Sequence, residues 1–219
     1  MTLPSTEFIM TALFILLIFC LVAFFAWAGY VVISGLFVWP PPIPTSPRTR
    51  RQIIEAIRKL RPAGETGGLI IDPGCGFGGL ALGLARAFPE SEVVGIDLQP
   101  FLLMVAQLRA RMLGLRNVTF RRGNLFKEDY RKARVIACYL YGNVMEQIYT
   151  KWDTELQDGC LVVTNVHKMP HWSPVEVILG TKLTFLTRRI YAYRLPEARM
   201  RGQAGARLHE PPADKKERT

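Results

Sequence analysis

The 219-residue sequence has little from which to build a covalent or metal-held scaffold. Its four cysteines, Cys20, Cys75, Cys138 and Cys160, are too few and too scattered for a disulfide framework. No pair stands at C-x-x-C spacing, which argues against a zinc ribbon or a thioredoxin-like site. The three histidines, His167, His171 and His209, form no HExxH pattern, so no metal site is expected. Charge of either sign is missing from Phe8 to Pro47, a run of 40 residues. Acid is scarce as well: 18 Asp and Glu face 28 Lys and Arg, a net charge of +10. Apolar residues are plentiful, at 49%, which excludes a disordered chain. The length suits one domain with additions rather than two full domains.

The uncharged run explains much of the apolar excess. Phe8 to Trp39 is almost wholly apolar, and a bilayer core needs only about 20 helical residues. Residues 8–39 are therefore expected to form a single transmembrane helix, with Trp27 and Trp39 near the headgroups. A cleaved signal peptide would have a basic start and a shorter apolar stretch, whereas the first basic residue here is Arg48. A buried soluble helix would show a polar face, and this segment shows none. Only Glu7 is charged before the span, and Arg48, Arg50, Arg51, Arg58, Lys59 and Arg61 follow it. The positive-inside rule then puts the C-terminal domain in the cytoplasm, with the lipid bilayer as a partner. No Arg- and Ser-rich presequence is present, which points to a bacterial inner membrane. In that compartment Cys75, Cys138 and Cys160 stay reduced.

Residues 40–48 read as a stiff linker, because five prolines fall within residues 40–47. Ser46 or Thr49 can cap the helix that follows, in which Ile53, Ile54, Ile57 and Leu60 recur at helical spacing. Residues 49–195 then alternate strand and helix. Strands are expected at 69–71, 93–96, 118–120, 135–140 and 160–164, with helices at 80–88, 101–113 and 144–156. A closing strand pair is expected at 181–186 and 190–193. That alternation predicts an α/β fold, a mostly parallel sheet with helices on both faces. The polar, basic stretch 196–219 reads as a disordered tail.

The chemistry concentrates after the first strand. Asp72-Pro-Gly-Cys-Gly-Phe-Gly78 opens a helix, and its glycines let a ligand approach the backbone closely. The second strand ends at Asp97, whose carboxylate can accept hydrogen bonds from both ribose hydroxyls of a nucleoside. The glycines fall at 74, 76, 78 and 79 rather than as G-x-G-x-x-G. An acid, Asp72, precedes the turn. A carboxylate there suits a cationic amino-acid cofactor better than a pyrophosphate. S-adenosylmethionine, with its ammonium, sulfonium and ribose, fits that demand.

From about Pro41 to Val177 the chain resembles a membrane-anchored family of class I, Rossmann-like methyltransferases. It includes the mitochondrial lysine methyltransferases of the ATP synthase c-subunit and of the adenine nucleotide translocase. Pro41-Pro42-Ile43-Pro44-Thr45-Ser46 resembles its P-Y-V-P-T-P stretch, and Asp72 to Gly78 its D-L-G-S-G-D-G loop. Gly95-Ile96-Asp97-Leu98-Gln99-Pro100-Phe101 is similar to G-x-E-x-N-P-W. Arg109-Ala110-Arg111-Met112-Leu113-Gly114 resembles R-A-x-x-x-G, and Asn124-Leu125-Phe126-Lys127 resembles D-L-W/F-K. Pro170-His171-Trp172-Ser173-Pro174 is similar to P-H-W-x-P, the most specific match. Two acids of the family pattern are replaced, by Phe77 and by Asn124.

The resemblance implies cofactor binding by Asp72, Gly74, Gly76, Gly78, Asp97 and Asn124, whose amide oxygen would meet the adenine amino group. It implies methyl transfer to a lysine amine of a protein, with an integral membrane protein the preferred substrate. The end of the fourth strand offers Tyr139, Tyr141 and Asn143 to orient the amine, and Tyr141 is the favoured catalytic residue. His171 and Trp172 follow from the specific motif, as a proton acceptor and as a pocket wall or cation-stacking ring. Core packing is the alternative for Tyr139 and for the His-Trp pair. The basic balance also suits RNA, but the sequence has no aromatic-rich RNA module, so nucleic acid is disfavoured. A small-molecule methyltransferase and a cofactor-blind membrane adaptor complete the alternatives, the second motivated by Phe77 and Asn124.

Overall fold

A computed structural model describes residues 6–37, 45–62, 64–183, 186–200 and 202. The chain divides into two compact units, residues 1–43 and 44–219. The first contains helix α1, Thr6–Phe37, which is apolar all round. Among the described residues it is the one helix long and apolar enough to cross a membrane. Most of the expected linker, residues 40–44, and Trp39 lie outside the described residues.

The second unit opens with α2, Pro47–Leu60. Ser46 is its cap: the Ser46 Oγ accepts the Thr49 N–H at 3.2 Å, and Pro47 takes the first helical position. Alternating elements follow: β1 Gly68–Pro73, α3 Gly79–Ala87, β2 Ser91–Asp97, α4 Pro100–Met112 and β3 Val118–Arg122. After them come β4 Ala133–Cys138, α5 Gly142–Glu155, β5 Leu161–Asn165, β6 Glu176–Leu183 and β7 Leu186–Arg194. The seven strands form one sheet in the order β3-β2-β1-β4-β5-β7-β6. The first five pair in parallel, and β7 enters antiparallel between β5 and β6. The chain runs outward from β1 to β3, then returns to β4 on the other side of β1. That reversal opens a crevice at the C-terminal ends of β1, β2 and β4, where such sheets bind ligands.

Each face of the sheet buries its own core. On one, Ile53 and Ile57 of α2 and Leu80 and Leu84 of α3 cover Ile70, Val93, Val135 and Val163. On the other, Met145, Ile148 and Trp152 of α5 cover Ile71, Ile96, Ile136 and Val162. Tyr130 meets Trp152 edge-on, with ring centroids 5.6 Å apart. Each such aliphatic side chain contributes about 1.5–3 kcal/mol on burial, so the two layers fix the sheet that carries the crevice.

Three boundaries differ from the sequence reading. β4 ends at Cys138, so Tyr139 and Leu140 leave the strand for the crevice rim. The last hairpin begins earlier, at Glu176, and its register shifts between Leu179 and Lys182, where the strand pattern is broken. The tail does not start at residue 196. Residues 197–200 are helical, Ala198 is buried, and Arg199 donates through Nε to Asp153 Oδ1 at 3.0 Å. Residues 203–219 lie outside the described residues.

Candidate functional site

β1 carries Asp72 to the crevice and the chain turns sharply there. Gly74, Gly76 and Gly78 have φ of 73°, 53° and 71°, a left-handed region that other residues adopt only under strain. The N–H groups of Gly74 and Cys75 both donate to the Ile96 carbonyl, at 2.8 and 3.0 Å, tying the turn to β2. The three glycines face different surroundings. A Cβ on Gly74 would stand 2.8 Å from Leu140, and one on Gly78 would stand 2.8 Å from Ala106 and Phe120. One on Gly76 would meet nothing within 4 Å. Gly74 and Gly78 therefore serve close protein packing, and Gly76 is the crest open to a ligand.

Asp97, half-buried at the end of β2, supports that crest. Its Oδ2 accepts the Gly76 N–H at 2.8 Å and its Oδ1 accepts the Gln99 N–H at 3.0 Å. A carboxylate has about four acceptor positions, so roughly two remain for a ribose diol. Asp72 is buried, and its Oδ2 accepts the Ala81 N–H of α3 at 3.0 Å. Burial pushes its carboxyl up to about 8; the Ala81 N–H opposes that rise and the Asp97 charge adds to it. A cation beside Asp72 would restore the ionised form. The two acceptors thus fit an ammonium and a ribose, the two polar ends that S-adenosylmethionine presents.

Two arginines hold this turn from either side. Arg109 of α4 donates through Nη1 to the Phe77 carbonyl at 2.5 Å, and Arg50 of α2 to the Gly79 carbonyl at 2.7 Å. Burial, and then the Arg109 charge, lower the Arg50 pKa. Phe77 thus takes part through its backbone. Asn124 accepts the Phe126 N–H on Oδ1 at 3.0 Å, so the oxygen expected to meet an adenine amino group already holds one bond.

Across the crevice, Tyr141 precedes α5. Its ring stacks on Tyr139 at 6.5 Å and lies 6.3 Å from His167. His167 arrives there through an unusual turn: Val166 has φ of 72°, and the His167 N–H donates to the Asn165 carbonyl at 2.9 Å. That is a γ-turn of the rare, strained hand. The Thr164 hydroxyl donates to the His167 carbonyl at 2.7 Å and secures it. Beside it Asn165 is fully buried, with neither side-chain polar atom hydrogen-bonded. Burial raises the Tyr141 pKa, and Tyr139 raises it further. Sequence reasoning missed His167, Arg50 and Arg109 as parts of this site.

The structure separates His171 and Trp172 from that group. His171 is exposed with φ of 57°, and its ring lies 5.1 Å from Tyr149. Tyr149 stands eight residues beyond Tyr141, about 12 Å along the helix at 1.5 Å per residue. Trp172 is only 5% exposed and its Nε1–H donates to Asp153 at 2.8 Å. Its ring packs on Tyr149 and Tyr193 at 6.0 and 5.9 Å. Trp172 is thus placed as a core residue rather than the pocket wall that the motif suggested. Burial raises the thiols of Cys75 and Cys138, and that of Cys160 to about 12, so none is poised as a nucleophile. Among the described residues no cluster of three ligating side chains could hold a metal ion. A cavity of about 360 Å³ beside Arg58, Arg61 and Phe88 lies at the opposite end of the sheet, where β1 and β2 begin.

Comparison with known proteins matches this geometry to one chemistry. Residues 72–176 match the model of the ANTKMT methyltransferase domain. The chain is 27% identical over 139 residues to a protein-lysine N-methyltransferase of Saccharolobus islandicus, covering 63% of this chain and 83% of that protein. It is 28% identical over 153 residues to the lysine N-methyltransferase of the ATP synthase c-subunit from Xenopus laevis, covering 69% and 66%. Among solved structures, an RNA methyltransferase from Salinibacter ruber in complex with S-adenosyl-L-homocysteine superimposes with a TM-score of 0.61 at 26% identity. That match covers 71% of this chain and 95% of the other.

Proposed function

We propose, from the match of residues 72–176 to the model of the ANTKMT methyltransferase domain, that this S-adenosylmethionine-dependent enzyme methylates a lysine amine of a membrane protein. The methyltransferase class rests on family and fold together. The lysine and the membrane setting are the proposal. The single observation that carries the lysine is the kinship with protein-lysine methyltransferases from an archaeon and a vertebrate. The structural neighbour that acts on RNA shares the fold, but its kinship carries no lysine-specific feature.

The cofactor, when bound, supplies a methyl group on a sulfonium for direct displacement by an amine. This chain's residues do the rest. Asp97 accepts from the ribose, Asp72 faces the ammonium, and the open backbone at Gly76 lets the cofactor lie close. Gly74 and Gly78 hold the turn, and Asn124 borders the adenine. A free lysine has a pKa of about 10.4, so the attacking amine must lose a proton. The aromatic walls formed by Tyr139 and Tyr141 disfavour its charged form. His167, whose ring lies beside Tyr141, stands where a proton acceptor is needed. Tyr141 orients the nitrogen. His171, at Tyr149, is left for contact with the protein substrate outside the crevice.

Helix α1 supplies the membrane setting as a single anchor, with the domain on the side where Arg48, Arg50 and Arg51 stand. A bacterial inner membrane with a cytoplasmic domain is the corresponding location.

The test is a transfer assay. Full-length protein in detergent meets methyl-labelled S-adenosylmethionine and a membrane extract. Label should appear on a discrete protein and map to lysine. Asp97→Ala should lose both label and cofactor binding, measured by calorimetry. Tyr141→Ala should keep cofactor binding and lose transfer at least about tenfold, which is about 1.4 kcal/mol in the barrier. Label on RNA alone would overturn the lysine assignment, and unchanged binding by Asp97→Ala would overturn the cofactor assignment.

A further inference from the structure

From Leu98 to Lys127 the sequence runs 30 residues without one acid. The same stretch carries six bases: Arg109 turns inward to the Phe77 carbonyl and Arg121 pairs with Glu128, while Arg111, Arg116, Arg122 and Lys127 are exposed. At its centre α4 is apolar on two sides. The inner side, Leu102, Leu103, Ala106 and Ala110, is buried against the sheet. The outer side presents Met104, Leu108 and Met112, about one turn apart, at 61%, 57% and 78% exposure. Leu98 before the helix and Leu113 at its C-terminal cap are exposed as well, at 48% and 45%. A helix on the surface of a soluble domain normally turns its charged side outward. Here the outward side presents a row of long, exposed apolar side chains.

The chemistry of the surroundings selects the occupant. An anionic bilayer offers negative headgroups over an apolar layer, the complement of exposed bases beside an apolar stripe. The stripe lies on a convex helix rather than in a groove, so it can enter a soft surface without a matched partner. The same chain carries α1, long and apolar enough to cross that bilayer.

We infer that the outer face of α4 lies in the headgroup–acyl boundary of an anionic membrane, a second lipid contact besides α1. This rests on the reading of α1 as a membrane anchor. Its consequence concerns the substrate. α4 starts three residues after Asp97, so docking it brings the crevice rim to the level of the headgroups. The lysine accepted there would be one at a membrane surface.

Spin labels on the full-length chain in vesicles separate the two readings. A nitroxide on the native Cys20 reports α1. A nitroxide on Met104→Cys, in a Cys20→Ser background, reports α4. One on Gln147→Cys, at an exposed position of α5, is the aqueous control. Cys75, Cys138 and Cys160 are buried and do not compete for label. Collision with lipid-soluble oxygen and with a water-soluble nickel chelate is compared in phosphatidylcholine vesicles with and without phosphatidylglycerol. The Met104→Cys label should become oxygen-accessible and nickel-shielded in the anionic vesicles, and return to the control's values at high salt. If it matches the Gln147→Cys control in every vesicle while Cys20 reads as lipid-embedded, the inference fails and the anchor stands. Shielding from both reagents regardless of lipid would identify a protein partner or a second copy and overturn it too. A Cys20 label in water would remove the anchor reading, and the Met104→Cys label would still decide the α4 face.

Discussion

Asp72 sets stability against ligand binding at a single residue. Its carboxyl, raised from the usual 3.8 to about 8, holds a proton in the folded chain that the unfolded chain releases. The native state therefore binds more protons between those values, and stability is greatest below the lower one and falls as pH rises toward the upper one. Each unit of such a difference corresponds to about 1.4 kcal/mol. Asp72→Asn removes the titration and can still accept the Ala81 N–H through its amide oxygen. The variant should unfold at least about 4 °C above the wild type near pH 8, and the gap should close near pH 4. Thermal unfolding of the ligand-free protein across that range checks it, and parallel pH profiles would sink the assignment. The same variant should lose cofactor affinity, because the ammonium then meets an amide instead of a charge.

At the scale of elements, the loop from β5 to β6 joins the site to the core. Two γ-turns, centred on Val166 and His171, give it its path. The first turns His167 toward Tyr141, and the second lets Trp172 drop beneath Tyr149. Asp153 then receives both Trp172 Nε1–H and Arg199 Nε–H, binding α5, the loop and residues 197–200 together. Trp172→Phe keeps one aromatic ring, gives up the packing of the second and deletes one bond to a carboxylate. It should cost about 1.5–3 kcal/mol in denaturant unfolding and leave cofactor affinity unchanged. A tenfold loss of affinity at unaltered stability would return Trp172 to the pocket. This contrast shows what sequence could carry. The strand, the glycine turn, the next helix and Asp97 were legible because their spacing is local. Arg109 is 32 residues from Phe77, and Arg199 is 46 from Asp153, so no local pattern joins them. For Trp172 the sequence leaves pocket wall and core packing both open, because a specific motif reports that a residue matters without saying whether it touches the ligand or the core. The end of β4 was misplaced because Tyr139 and Leu140 are as strand-compatible as the residues before them.

Across the whole chain, the division at residue 43 separates a helix long and apolar enough to cross a membrane from the unit that carries the crevice. The sheet, both cores and every group placed around the crevice belong to residues 44–219. α1 is apolar all round, so its sequence should matter only as an apolar span. As the anchor proposed above, its effect is on concentration. Holding enzyme and a membrane-bound lysine in one surface makes their encounter nearly intramolecular, which raises effective affinity by about 10²-fold or more without a new contact. Exchanging residues 8–39 for an unrelated single-pass helix should therefore preserve methylation of the membrane substrate. Releasing the domain at residue 44 should reduce that rate at least about tenfold while leaving cofactor affinity the same. Initial rates on substrate-containing vesicles, with calorimetry on the released domain, separate the two effects. Equal vesicle rates for the anchored and released forms would mean that the substrate is recognised from solution, and that α1 serves some purpose other than encounter.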